Sequence, residues 1–436
     1  MQYIKRIILL QTVIICATLL FAQPNKVSIE KVRDYISKNW LGTVENNPID
    51  IGNLYGLPKP YNVPTVQGEN LFKELYYWDT YFTNIGLIHD NLLEQAKNNV
   101  DDILFMVNRF GKMLNGSNKT YLNRSQPPYL SMMVADIYDK THDKVWLKNS
   151  VATLEKEYQF WMKERLTNCG LNRYSSSASD NEKIDMANYL KIRLNNPNLL
   201  NGMSESQLIE MGSHYIAEAE SGWDFNPRFV GRCEDFCPID LNSNLYIYEM
   251  NFARFYKEIG MTDRARRWKK IAHKRKLLIN QLCYNKQANT FYDYDFVNHK
   301  QSTVVSSAIF SVFFAKIASQ NQVKGINNTL SLLETKYGIR ACEDKNYKTS
   351  YQWGSSNGWA PLFAIAVKGL NNYGLNNEAN RIKNKYLFLV INNFDKTGNL
   401  WEKYNIIDGS VNTTNEYEMP AFLGWTAGVF VYFSNL

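Results

Sequence analysis

The chain has 436 residues, with 49 Lys and Arg against 42 Asp and Glu, a formal charge of +7. That excess is too small for a protein built around nucleic acid, so no nucleic-acid partner is expected. Six cysteines, one of them Cys16 near the start, leave an odd five in the remainder (Cys169, Cys233, Cys237, Cys283 and Cys342), which excludes a fully paired disulfide scaffold.

Residues 1–22 read as an export signal: Lys5 and Arg6 precede an apolar run, 7–21, and Ala22 precedes a polar stretch. The run is short for a bilayer span, and Ile15 is bulky for the residue before a lipidated Cys16, so export without stable membrane insertion is expected, to the periplasm or outside the cell. The rest, 23–436, shows no linker-like shift in composition and reads as one domain, expected to work as a monomer.

Helical spacing runs from end to end. Leu147, Val151, Leu154, Tyr158 and Trp161 recur at steps of four and three on one face. Similar stripes lie at 72–87, 103–113, 209–219, 241–259, 268–282, 309–317 and 359–367. The basic segment 264–276 is interleaved with Trp268, Ile271 and Ala272 and reads as the wet face of a helix. One stretch, 291–296, alternates as a strand does, and no strand–helix rhythm or glycine-rich phosphate loop appears. About a dozen helices would fit a toroid of hairpins or an irregular bundle, and periodicity alone does not choose. Cys233 and Cys237 are close in sequence, but no His stands nearby at ligand spacing, so structural or free thiols are expected and no metal.

Five stretches hold polar, aromatic and glycine residues together in ways a helical core does not need. In Glu220-Ser-Gly-Trp-Asp-Phe225 one carboxyl stands between two rings at a helix exit. Apolar neighbours raise a carboxyl pKa, which suits a catalytic acid, although an Asp there could equally cap the next turn. Phe72 to Phe82 offers Tyr76, Tyr77, Trp78 and Asp79 for stacking and hydrogen bonding to a sugar. The loop from Asn115 to Pro128 presents Asn115, Arg124 and Gln126, then opens a helix after two prolines. Gln352-Trp-Gly-Ser-Ser-Asn-Gly-Trp-Ala-Pro361 sets two tryptophans about a flexible loop. Trp401-Glu-Lys-Tyr404, Glu416-Tyr417 and Gly424-Trp425 again place carboxylates beside rings. Each alone could be structural.

Together, and in this order, these stretches resemble the signatures of the trehalase family of glycoside hydrolases over nearly the whole exported chain. The stretch from Leu57 to Pro64, then 74–82, resembles the first of them, and Ser125-Gln-Pro-Pro128 with the Ser-Gly-Trp-Asp motif are the most specific. The resemblance implies an all-α (α/α)6 toroid and an inverting hydrolysis of the α-glucosidic bond of trehalose, releasing glucose without a cofactor. It assigns Asp224 as general acid and Glu402 as general base, their carboxyls about 6.5–9.5 Å apart to admit water. Candidate substrate contacts are Phe72, Tyr76, Trp78, Asp79, Asn115, Arg124, Gln126, Gly222, Trp353 and Glu416.

Several positions depart from the family pattern. Leu71 stands where an Arg is usual, no Arg-Pro-Glu-Ser segment lies between Tyr174 and Met211, Gly354 replaces an Asp, and the lid before Glu416 is cut to 411–415. Arg124 alone matches the usual three sugar-gripping arginines, and a Leu cannot supply their forked donors. Another α-glucoside or oligosaccharide is therefore an alternative substrate, and a non-catalytic sugar-binding protein a more distant one. A lyase would need a Tyr, His or Lys base, and none of the five histidines falls in these stretches.

Overall fold

The structure is a computed structural model that describes residues 24–66, 72–194, 196–347, 349, 351–414 and 417–436. The predicted export signal 1–22 with Cys16, together with Leu71, Asn195, Asn415 and the candidate contact Glu416, lies outside the described residues. Among the described residues there are fifteen α-helices and nine strands of two or three residues.

Twelve of these helices alternate between an outer and an inner layer. The outer helices are α1 (Lys26–Asn39), α3 (Leu93–Phe110), α5 (Lys144–Glu164), α9 (Thr262–Leu282), α12 (Ile326–Leu333) and α14 (Asn376–Thr397). The inner ones are α2 (Tyr77–His89), α4 (Leu130–Thr141), α8 (Ile239–Glu258), α10 (Ile309–Phe314), α13 (Ala360–Asn371) and α15 (Gly424–Ser434). Each inner helix packs on the next, and α15 returns to α2, so the ring closes into an (α/α)6 toroid. At that seam the backbones touch: a Cβ on Gly86 would lie 2.4 Å from Cα of Gly428, a distance no side chain tolerates. Between α5 and α8 the chain makes an excursion through α6 (Asp180–Arg193) and α7 (Glu205–Glu220), which pack on each other; α11 (Gln320–Val323) is a single turn.

Sequence explains the layers. The stripe at Leu147, Val151, Leu154, Tyr158 and Trp161 is the buried face of α5, which starts where Asp143 accepts from the N–H groups of Val145 and Trp146. Outer helix α9 buries only Ala265, Ala272, Arg275 and Ile279, leaving most of its basic residues wet. Arg275 is the exception, turned inward onto Glu249 at 2.7 Å, which also accepts from Tyr158 at 2.7 Å. An unpaired charge could not be buried there.

Three expectations change. The predicted strand 291–296 is split into β5 (Thr290–Phe291) and β6 (Tyr294–Asp295), because Asp293 leaves the ladder to bind Arg228 and the Ile239 N–H. The helix expected from 72 begins only at Tyr77; Tyr76 is extended and bridges Gly116, and Tyr77 N donates to Asn115 O at 3.0 Å. Helices α1, α4, α6, α11, α12, α14 and α15 are not marked by a stripe in the sequence, although two prolines signal the start of α4. In α6 only Ala187 and Leu190 are buried, while α15 is buried nearly all round, so neither shows a two-faced period.

Candidate active site

A cavity of about 300 Å3 opens at the N-terminal ends of inner helices α2, α13 and α15. Helix N-termini carry partial positive charge and unpaired N–H groups, a setting that favours carboxylates and sugar oxygens. Asp224 and Glu402 both line this cavity although 178 positions separate them. So do Phe72, Tyr76, Trp78, Asp79, Asn115, Arg124, Gln126, Gly222 and Trp353, which leaves only Glu416 of the sequence candidates unplaced.

Asp224 sits in a turn that α7 delivers. Ser221 ends the helix, with Oγ donating to Glu218 O at 2.6 Å and accepting from Trp223 N at 3.2 Å. Gly222 then turns left-handed at φ 73°, and a Cβ there would meet the Trp78 ring at 2.9 Å, so only glycine fits on both counts. Beyond Asp224, Asn226 donates to Trp223 O at 2.6 Å and Trp353 N donates to Phe225 O at 3.3 Å. These bonds hold Asp224, itself half-buried, in a closed turn against the aromatic loop.

Two buried carboxylates brace that turn from behind. Glu220 takes a two-pronged contact from Arg165, at 2.8 and 2.9 Å, and also accepts from the N–H groups of Ser125 and Ser175 at 2.9 and 2.8 Å. It thereby ties the loop carrying Arg124 and Gln126 to the end of α7. Glu218 Oε2 accepts from Asn226 N at 3.3 Å; burial pushes its pKa well above the carboxylate range, and the nearby charge of Asp224 adds to the rise.

Glu402 lies just before β9 (Lys403–Asn405), which pairs antiparallel with β8 (Asn357–Trp359) and so fixes it beside the tryptophans. It is 3% exposed, yet both its oxygens are engaged: Lys403 Nζ donates to Oε2 and the Tyr417 hydroxyl to Oε1. Trp425 Nε1 adds a bond to its backbone oxygen at 2.9 Å. The ammonium offsets the cost of burying the carboxylate.

The walls are aromatic. Trp353 stacks on Trp359 with centroids 3.8 Å apart and planes at 2°, and on Trp223 at 5.5 Å and 12°. Trp425 meets Trp78, Trp353 and Trp359 edge-on. Such faces cover the apolar face of a sugar ring. Asp79, in the first turn of α2, is raised to about 7 by burial, with the Glu402 charge adding, so near neutrality its carboxyl can donate as well as accept. Arg124 lies over the Tyr121 ring at 4.9 Å, and its guanidinium donates to Asn123 at 3.0 Å. Asn115 and Gln126 also serve the backbone, Gln126 Oε1 accepting from Trp78 N at 3.2 Å and Asn115 Nδ2 donating to Ala219 O at 3.4 Å.

Sequence reading did not select Tyr121, Trp359, Tyr417 or Trp425, which line the cavity, or Lys403 and Glu220, which brace it. All six fall inside the five stretches; the missing signal was which ring or charge points inward. Gly354, where the family has an Asp, lines a separate polar pocket with Tyr347 and Tyr351.

A closed double ring of helices, with carboxylates and tryptophans gathered on one cavity at its N-terminal rim, defines a toroidal glycoside hydrolase. The trehalase family matches residues 25–436, and the chain belongs to that family. It is 29% identical to the periplasmic trehalase of Escherichia coli O1:K1 / APEC over 427 residues, covering 92% of this chain and 73% of that one, and the same figures hold for that of Shigella flexneri. Among solved structures, the neutral trehalase Nth1 of Saccharomyces cerevisiae superposes with a TM-score of 0.73 at 27% identity, over 94% of this chain and 80% of that chain. The GH63 mannosylglycerate hydrolase of Thermus thermophilus, at 13% identity, TM-score 0.63, and 92% and 100% coverage, shares the fold.

Proposed function

We propose that this protein hydrolyses trehalose to two molecules of glucose, with inversion at the attacked carbon. The observation that carries the reading is the meeting of Asp224 and Glu402 on one tryptophan-walled cavity in a member of the trehalase family. Asp224, protonated, hands its proton to the glycosidic oxygen as the bond to the anomeric carbon breaks. Glu402, ionised, takes a proton from the water that attacks the opposite face. Lys403 and Tyr417 hold that carboxylate in one orientation. Trp78 and the edge of the Trp353 stack provide apolar surface for the sugar, while Asp79, Arg124 and Gln126 offer groups for its hydroxyls. The names of the bacterial relatives support a periplasmic location, as residues 1–22 suggest. Glucose release from trehalose, with the anomer first formed read by NMR, tests the proposal: β-glucose appearing alongside α-glucose is expected, and two α-glucose molecules would refute inversion.

One observation favours a second reading of the substrate. Arg124 is the single arginine on the cavity wall among the described residues, so the grip on the sugar is weaker in forked donors than the family pattern supplies. A panel of α-linked disaccharides decides between the two: cleavage of another member with kcat/KM above that of trehalose would move the specificity and keep the mechanism.

A further inference from the structure

The excursion that carries Asp224 leaves the ring after α5 and rejoins it at α8. Its two ends lie side by side. At the start, the bridge between Leu166 and Asn172 closes a tight hairpin that presents Cys169; at the finish, Cys237 lies in β3 (Phe236–Cys237), two residues before α8 begins. The two sulfurs are 3.5 Å apart across 68 positions of sequence, and the Thr167 hydroxyl sits against both, at 3.1 Å from Cys169 and 3.4 Å from Cys237. Cys169 is half-buried and reachable from solvent, whereas Cys237 is buried. Cys233, Cys283 and Cys342 are buried as well, and among the described residues no second pair of sulfurs is in contact.

We propose that Cys169 and Cys237 form a disulfide by thiol–disulfide exchange, closing the loop that holds the α6–α7 hairpin and the Asp224 turn. A disulfide needs its sulfurs about 2.05 Å apart, so they must approach by roughly 1.5 Å from their present contact. The oxidant is a protein or low-molecular-weight disulfide. The Cys169 thiolate attacks one of its sulfurs, a mixed disulfide forms and one thiolate leaves; Cys237 then attacks the Cys169 sulfur and releases the second. The pair loses two electrons and two protons, and the oxidant becomes two thiols. The order of attack follows from the surroundings: the hydrogen bond from Cys237 lowers Cys169 to about 6, while burial pushes Cys237 upward. Oxidation in the cell rests on the export reading above; the pairing itself does not.

The effect is on the base of the catalytic-acid segment. Closing a loop of this length removes unfolded-state freedom, and it pins the hairpin next to Arg165, the partner of Glu220. The test uses the purified mature protein, reduced, desalted and equilibrated with glutathione at rising oxidised-to-reduced ratios, then alkylated after denaturation and mapped by peptide mass. The expected result is loss of two of the five thiols, a linked peptide pair holding Cys169 and Cys237, and a rise in Tm of roughly 3–8 °C that a reductant reverses. The Tm rise should vanish in Cys169→Ser. Five alkylated thiols at the most oxidising ratio, or a bridge that uses Cys233, would overturn the proposal, and the mapping on wild-type protein stands even if the variant does not fold. Glucose release is measured separately, so loss of the substrate reading leaves this result untouched.

Discussion

The Lys403 ammonium rests on the Glu402 carboxylate with no exposure of its own, sealed between the faces of Trp359 at 4.8 Å and Tyr417 at 5.4 Å. The proposed base thus keeps its counter-ion inside the cavity wall. Lys403→Met keeps most of the volume and removes the charge, leaving a buried carboxylate uncompensated at a cost of about 3–5 kcal/mol. We expect kcat to fall about a hundredfold or more and Tm to drop. Tyr417→Phe, which removes one neutral donor, should cost less, about tenfold in kcat. Equal kcat in wild type and Lys403→Met would show that the ammonium has no part in catalysis.

Arg165 and Glu220 are a buried pair that does not line the cavity. Arg165→Met leaves Glu220 without its cation and loosens the Ser125 and Ser175 amides it holds. A stability loss of about 3–5 kcal/mol is expected by chemical denaturation, with kcat reduced in the surviving folded fraction because the Asp224 turn is less fixed. Stability within about 1 kcal/mol of wild type would mean that the network carries little of the fold.

Asp102, fully buried on α3, accepts from Lys59 N at 3.0 Å, and burial raises it to about 8. Its folded pKa lies above the unfolded value, so its stabilising contribution is complete below about pH 4 and is lost as pH rises toward 8. In that window the folded state binds the extra proton, and stability falls with pH by at most about 1.4 kcal/mol per unit from this group. Asp102→Asn should flatten that slope between pH 5 and 7 and leave glucose release unchanged. Asp79, raised to about 7 at the cavity, should instead appear in the pH dependence of KM, as hydroxyl recognition changes when it ionises. Parallel slopes for wild type and Asp102→Asn would contradict the assignment.

Trp353 is sandwiched between Trp223 and Trp359 and is 2% exposed. Trp353→Ala opens a gap in the stack and loosens the aromatic wall of the cavity. KM for trehalose should rise roughly tenfold, and stability should fall by about 3–5 kcal/mol, read by steady-state kinetics and thermal unfolding. Trp353→Phe should restore most of the stability and less of the binding.

Much of this architecture was legible in the chain. The α5 stripe, the exit of α7 at Ser221-Gly222 and the five aromatic and carboxylate stretches all carry local chemistry that a sequence displays. What was hidden depends on distance in space. The α15 helix has no polar face because it is enclosed by α2, α13 and α14, and α6 has almost no apolar one because it lies on the excursion. The contact between Glu402 and Tyr417 joins residues fifteen apart through a loop, and Glu220 meets Arg165 across 55 positions. Nor could spacing pair Cys169 with Cys237, since the nearer Cys233 was the natural partner to suspect.

The most direct test of the proposed mechanism is glucose release from trehalose by wild type, Asp224→Asn and Glu402→Gln, each verified as folded by circular dichroism. Measurable release by wild type, falling about a thousandfold or more in both variants, is the expected result. Activity within about tenfold of wild type in either variant would remove that residue from the acid–base pair and contradict the mechanism.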